Sequence, residues 1–497
     1  MVCSLIESAG SQNRECSYPA TASRARRLCE KSLPLITSRS VIGPTYPRSG
    51  TIGVVHLGLG AFHRAHQALV FDRLLASGDA RWGVLGVAMR NPALADALAR
   101  QDGLYSVQLA SATDRRWHIG GALWHTCIAT TQRHRVVQAL AAASTRWVTL
   151  TVTEKAYGPP LAELLLEGLA ARHAGGLGGL TLASCDNLPG NGNQLRDVCL
   201  RQAAVRDPGL QAWIQGRCAF PNSMVDRIVP AGSAATCTQA ADVLGVDDDA
   251  ALRTEVFWEW VIERRFVDNS DALALAAAGV QVVDDVRDFE DAKLRLLNGS
   301  HSALACIGAL AGLPLVSDCI AQPAVHRLVH GLMTHEVAPL LQRRDWADYR
   351  DALLQRFANP HLEHSVHQIA TDSSIKIALR WVPAALHALE QGLPVTRLAF
   401  CAAAWMRYCL GVDESGRPYG LSDPLAQQLQ ALARADAADA VKSFDTLGNL
   451  PQVWGRVLPR HAAWRSQVVA QFEAIRLQGV LAAAAALPHG PPLARAA

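Results

Sequence analysis

The chain has 497 residues, a formal net charge of +3, and a composition that is half hydrophobic and 18% charged. That length suggests two or three domains, and the near-neutral charge argues against nucleic acid or an anionic membrane as the main partner. No run reaches the roughly 18 uninterrupted apolar residues that a membrane-spanning helix needs.

Residues 1–50 are aperiodic and rich in Ser, Arg and Pro, and are expected to form a flexible leader. Arg24, Arg26 and Arg27 cluster there, but Glu7, Glu15 and Glu30 count against a transit peptide. The twelve cysteines are scattered and no Cys-x-x-Cys occurs, which points to reduced thiols in a cytoplasmic protein and to no structural zinc site. Of these only Cys185 lies beside candidate chemistry, and packing accounts for it.

Order is expected from Thr51. Thr51–Leu57 is almost wholly apolar, as a strand buried on both faces of a parallel sheet is. Gly58-Leu59-Gly60-Ala61-Phe62 follows at once, and a helical pattern runs on to Leu75. A second strand spans Trp82–Met89. Strand, Gly-x-Gly turn, helix and strand make a βαβ unit, whose glycines allow a tight turn and a close approach of phosphate. His63 stands where a third glycine of the dinucleotide fingerprint would be. No acid closes the second strand; Arg90 is there instead, able to meet a 2′-phosphate or to stack on adenine, so NAD and NADP both stay open.

Two more parallel-type strands end in polar turns. Trp147–Thr153 leads into Glu154-Lys155-Ala156-Tyr157, and Leu180–Cys185 leads into Asp186-Asn187-Leu188-Pro189-Gly190. Ligands bind past the carboxyl ends of strands in such sheets. Phe220–Pro230 embeds Asp226 and Arg227 in an apolar segment, and Val280–Val283 reads as the last strand of this half. Beyond Phe289 the periodicity is helical, over roughly 289–312, 324–342, 346–357, 361–391, 395–411, 424–435 and 460–486. The fold class expected is an α/β Rossmann-type domain over 51–286, followed by a mainly α-helical domain over 287–497.

The stretch Phe289–Ser302 opens that helical half. It carries Lys293, Asn298 and His301 at offsets 0, 5 and 8, which an α-helix sets near about 0°, 140° and 80° on one arc. A lysine facing a buried site is a proton acceptor, an Asn amide donates to a developing oxyanion, and a His orients or relays protons. A core helix with a snorkelling lysine explains the same residues equally well.

Seven blocks together resemble the mannitol dehydrogenase family of zinc-independent polyol dehydrogenases, which includes fructuronate reductase. They are Gly58–Gln67 (GLGAFHRAHQ), Gln101–Tyr105 (QDGLY), Thr151–Tyr157 (TVTEKAY), Ser184–Gly192 (SCDNLPGNG), Phe220–Pro230 (FPNSMVDRIVP), Lys293–Ser302 (KLRLLNGSHS) and Trp405–Gly416 (WMRYCLGVDESG). The resemblance implies hydride transfer between NAD or NADP and a secondary alcohol of a sugar alcohol or aldonate, with D-mannonate/D-fructuronate and D-mannitol/D-fructose as the pairs to test. It implies Lys293 as general base and acid, Asn298 and Asn187 on the alkoxide or carbonyl oxygen, and His301 orienting hydroxyls or the lysine. Gly58, Gly60, Ala61 and Phe62 would line the dinucleotide turn, with Arg90 and Glu154 as further cofactor contacts and Asp226 near the nicotinamide or tuning the lysine. Lys376 would meet substrate hydroxyls or a carboxylate. The alternatives are an NAD-retaining isomerase or epimerase, and a non-catalytic NAD-binding protein. Four features depart from the family's pattern: the short segment after Tyr157, Ala156 in place of Gly, and Ser365 and Ser373 where the family more often has Arg and Gly. These bear on the substrate cleft and on recognition of a uronate.

Overall fold

The structure, a computed structural model, describes residues 41–152 and 156–488. Its first half is built on a five-stranded, wholly parallel sheet. Strands β2 (Val54–Leu57), β3 (Val84–Ala88), β6 (Leu123–Ile128), β7 (Trp147–Leu150) and β8 (Thr181–Ser184) lie in the order β6-β3-β2-β7-β8. Chain order runs outward from β2 in both directions. The switch therefore falls between β2 and β7, and a crevice opens at their carboxyl ends. Every residue of β2, β3, β7 and β8 is buried, which explains their unbroken apolar character.

Each face of this sheet has its own core. Phe71, Trp82, Trp147, Trp260 and Phe266 pack on one side, and Leu161, Leu165 and Leu169 of helix Pro159–Ala174 on the other. That helix begins right after Gly158, as the short segment following Tyr157 predicts.

Two further sheets were not anticipated. One runs β1 (Val41–Ile42), β5 (Arg115–Gly120), β4 (Tyr105–Ala110) and β10 (Leu252–Glu255); the other runs β12 (Gln281–Val283), β11 (Glu259–Glu263) and β9 (Ser223–Asp226). Their strands carry charges that break the apolar pattern. Glu259, Glu263 and Arg253 are buried all the same, because each finds a partner. Residues 41–50, expected within a flexible leader, are anchored here. Val41–Ile42 pairs with β5, Tyr46 donates to Asp72, and Arg48 donates to Gly121 O at 2.9 Å.

The expected single helix after the Gly-x-Gly turn is broken in two, Ala61–Ala65 and Gln67–Ala76. His66 sits at the break, with its Nε2 3.0 Å from Glu259 O. The second half is helical throughout. Its centre is helix Gly299–Leu310, buried at all twelve positions, with helix Thr396–Tyr408 packed along it. No helix among the described residues is long and apolar enough to cross a membrane.

Candidate active site

The stretch that opens the helical half is not a plain α-helix. Arg287–Ala292 is α-helical, Lys293–Asn298 is a π-helical turn, and Gly299–Leu310 is α-helical again. A π turn takes in one extra residue and so cancels about 100° of rotation, moving Asn298 and His301 to roughly 40° and −20° from Lys293. The α-helical spacing predicted a wider arc. Two side chains from the segment beyond residue 372 donate to the carbonyls just past the turn. Arg380 Nη1 donates to Asn298 O at 3.1 Å, and Trp381 Nε1 donates to Gly299 O at 3.0 Å.

Lys293 is buried and its Nζ donates to Asn187 Oδ1. Asn187 lies just past β8 in a turn that is itself held. Leu188 N donates to Asp186 Oδ1 at 3.0 Å, and Tyr157 OH donates to the same carboxylate. A cleft of about 330 Å³ is lined by Asn187, Lys293, Asn298, Ser223, Met224 and Glu290, among others. Asn298 Nδ2 is buried there without a hydrogen-bond acceptor. Such an N–H costs free energy until something accepts from it, so it is a donor prepared for a ligand oxygen. Glu290 is half-buried, and burial raises its carboxyl to about 7 despite the N–H of Gly190 and the Lys293 charge.

Asp226, expected near the nicotinamide or tuning the lysine, is paired within the protein. Its two oxygens accept from Arg356 at 2.7 and 2.8 Å, and Oδ2 also accepts from Tyr349 OH at 2.6 Å. Burial pushes this carboxyl up, but Arg356, with Lys293 and Tyr349 adding, outweighs burial and holds it below its ordinary value. Its carboxylate is thus committed to the protein, and what reaches Lys293 is its charge.

His301 lines a small pocket with Arg356, Asn359 and His364. Its ring lies 4.6 Å from that of Phe357 and 5.2 Å from that of His364. Burial first, then His364 and Arg380, hold it well below the usual imidazole range, and burial and Lys376 lower His364 to about 4. Both rings are therefore neutral near pH 7, and His301 Nε2 and His364 Nδ1 are buried without partners. Lys376 is half-buried and donates to Ile369 O at 2.9 Å. Ser373 donates to Asp423 at 3.2 Å and accepts from Trp405 Nε1 at 3.0 Å, so its hydroxyl serves the packing of its own helix.

At the switch point, Gly58 has φ +101°, and a Cβ there would lie 2.5 Å from Thr151 O. Only glycine fits. A Cβ at Gly60 would meet nothing nearer than 3.6 Å, so the space above the turn stays open. Phe62 is half-buried and stacks on His66 at 5.1 Å, Ala61 begins the short helix, and Arg90 is exposed just past β3. A required glycine, an open approach and the carboxyl ends of parallel strands suit a dinucleotide. Glu154 lies outside the described residues. Among the described residues, no group of three or more His, Cys, Asp or Glu could hold a metal ion.

Two family models match the chain: the mannitol dehydrogenase Rossmann domain over residues 52–274 and the mannitol dehydrogenase C-terminal domain over residues 285–476. The chain belongs to the mannitol dehydrogenase family. Mannitol 2-dehydrogenase of Phaeosphaeria nodorum is 36% identical over 463 residues, covering 85% of this chain and 81% of that protein. D-mannonate oxidoreductase of Escherichia coli is 37% identical over 468 residues, covering 87% and 95%. Pseudomonas fluorescens mannitol 2-dehydrogenase, solved as a ternary complex with NAD and D-mannitol, superposes with a TM-score of 0.82 at 30% identity, covering 91% of this chain and 98% of that one.

Within the mannitol dehydrogenase frame, Lys293, Asn298 and Asn187 line one cleft, and His301, with Lys376 near it, lines the adjoining one. Sequence reasoning passed over Glu290, Tyr349, Arg356 and Arg380. Glu290 had a signal, since a residue three before Lys293 shares its helix face. The other three lie far along the chain in ordinary helical patterns, and only packing shows their role.

Proposed function

We propose that this NAD-dependent oxidoreductase of polyols and aldonates moves the proton of its reaction on Lys293 and holds the reacting oxygen with Asn298. The observation that carries the reading is the pairing of a buried lysine, set on Asn187, with an unsatisfied Asn298 N–H in one cleft. In oxidation Lys293 accepts the hydroxyl proton; in reduction it returns one to the carbonyl oxygen. Asn298 donates to that oxygen as negative charge gathers on it, which lowers the barrier more than the ground state. Asn187 fixes the ammonium in place. Glu290, at about 7, lines the same cleft and is a group able to exchange protons with Lys293. NAD, when bound, exchanges a hydride with the alcohol carbon. Gly58, Gly60, Ala61 and Phe62 would hold the dinucleotide, and the exposed Arg90 leaves NADP as a second cofactor.

For the substrate we favour the D-mannonate/D-fructuronate pair over D-mannitol/D-fructose. Lys376 and Arg380 stand near His301 and bring positive charge to that side, which suits a carboxylate. A cytoplasmic setting fits the nine cysteines that are unbridged among the described residues. The test is a panel of fructuronate, fructose and C5 and C6 polyols, each assayed with NADH and NADPH by nicotinamide absorbance. Highest kcat/KM on fructuronate with NADH supports the reading. Preference for fructose reverses the substrate assignment. Turnover of sugar with no absorbance change points to an NAD-retaining isomerase instead.

A further inference from the structure

A second π-helical turn, Leu332–Val337, continues helix Pro323–Gly331 and packs against the Lys293–Asn298 turn. On its other side is a half-open groove of about 850 Å³ that takes no part in the reaction described above. Its polar lining is cationic or imidazole: His326, Arg327, His330, His335 and Arg397, and among the described residues no carboxylate lines it. Arg327 has no ion pair among the described residues, and none of the three histidines has a side-chain hydrogen bond.

Arg397 is buried and only weakly compensated. Its Nη1 lies 3.4 Å from Glu336 Oε1, and Nη2 donates to Pro488 O at 2.7 Å. Glu336 is itself occupied, accepting from Arg397 N at 2.7 Å and Leu398 N at 2.9 Å. The field in the groove is positive. Burial first, then Arg350 and His326, hold His330 below its ordinary value, and burial with Arg397 and Arg350 does the same to His335. Asp351 opposes this at His330 but already pairs with Arg350 at 2.8 Å.

We propose that this groove is an anion site for a phosphate-bearing small molecule, held by Arg327, Arg397 and the histidines of helix Pro323–Gly331. A guanidinium and imidazole N–H groups converging from separate elements suit phosphate oxygens. The groove is large enough to hold a small metabolite.

The test uses the full-length protein saturated with NADH, so that the dinucleotide turn is filled, and inorganic phosphate as probe against chloride at matched ionic strength. Calorimetric titration should show saturable phosphate binding at one site. In an Arg327→Ala/His330→Ala double variant the affinity should fall about ten-fold or more, the loss of two charge-assisted contacts. Both side chains face solvent or a groove, and an unchanged melting temperature in chloride verifies the fold. Sulfate should compete with phosphate and fructose should not. Absence of saturable binding, or equal affinity in the double variant, would each overturn the proposal.

Discussion

At the scale of residues, the account turns on groups whose burial makes their chemistry. Asn298 keeps a buried N–H unspent, and Asn298→Ala removes it. Turnover should fall about 10²–10³-fold, as for loss of an oxyanion donor, with NADH affinity unchanged in a fluorescence titration. Glu290 gives a pH signature. Its folded value of about 7 lies above the ordinary carboxylate value, so the fold keeps a proton that the unfolded chain releases. Its stabilising contribution is therefore complete below about 4.5 and is lost as pH rises through 7. Glu290→Gln, neutral at every pH, should match the native protein in urea melts at pH 4 and exceed it at pH 8. Equal stability at both would show that the carboxyl is not held protonated. Lys293, Asn298 and Asn187 were legible in the sequence because their types and spacing carry chemistry. The commitment of Asp226 to Arg356 and Tyr349 was not, since the partners lie 130 and 123 residues away.

At the scale of elements, the π turn is the feature that α-helical spacing could not disclose. Nothing in Lys293-Leu294-Arg295-Leu296-Leu297-Asn298 forbids an α-helix. The turn is held from outside, because Arg380 and Trp381, from the segments beyond residue 372, donate to the carbonyls of Asn298 and Gly299 at its end. Arg380→Met keeps the stem and removes the donor. It should cost about 1–3 kcal/mol, the range for an unpaired buried acceptor, and lower kcat while leaving NADH binding intact. A variant with native stability and native kcat would show that the turn stands without it. The parallel strands were legible because strands buried on both faces read as apolar runs. Strands β10 and β11 escaped because partnered charges such as Arg253, Glu259 and Glu263 interrupt theirs.

At the scale of the molecule, the two halves are joined by buried charge as well as by packing. Arg356, on helix Trp346–Phe357, donates to Asp226 of β9 and to Glu255 of β10, at 2.7–2.8 Å. Removing the guanidinium leaves two buried carboxylates facing each other. Arg356→Ala should therefore destabilise by about 3–5 kcal/mol in urea unfolding, and a loss below 1 kcal/mol would mean that the network is not what holds the seam. The order of the halves was readable from the change of periodicity near Phe289; how they are joined was not. The seam matters because it places a lysine from the helical half beside the turn that follows β8. The most direct measurement is single-turnover kinetics of Lys293→Ala with NADH and fructuronate. Hydride transfer should slow about 10²–10⁴-fold with NADH affinity near native. Transfer within a few-fold of the native rate would contradict the role assigned to Lys293.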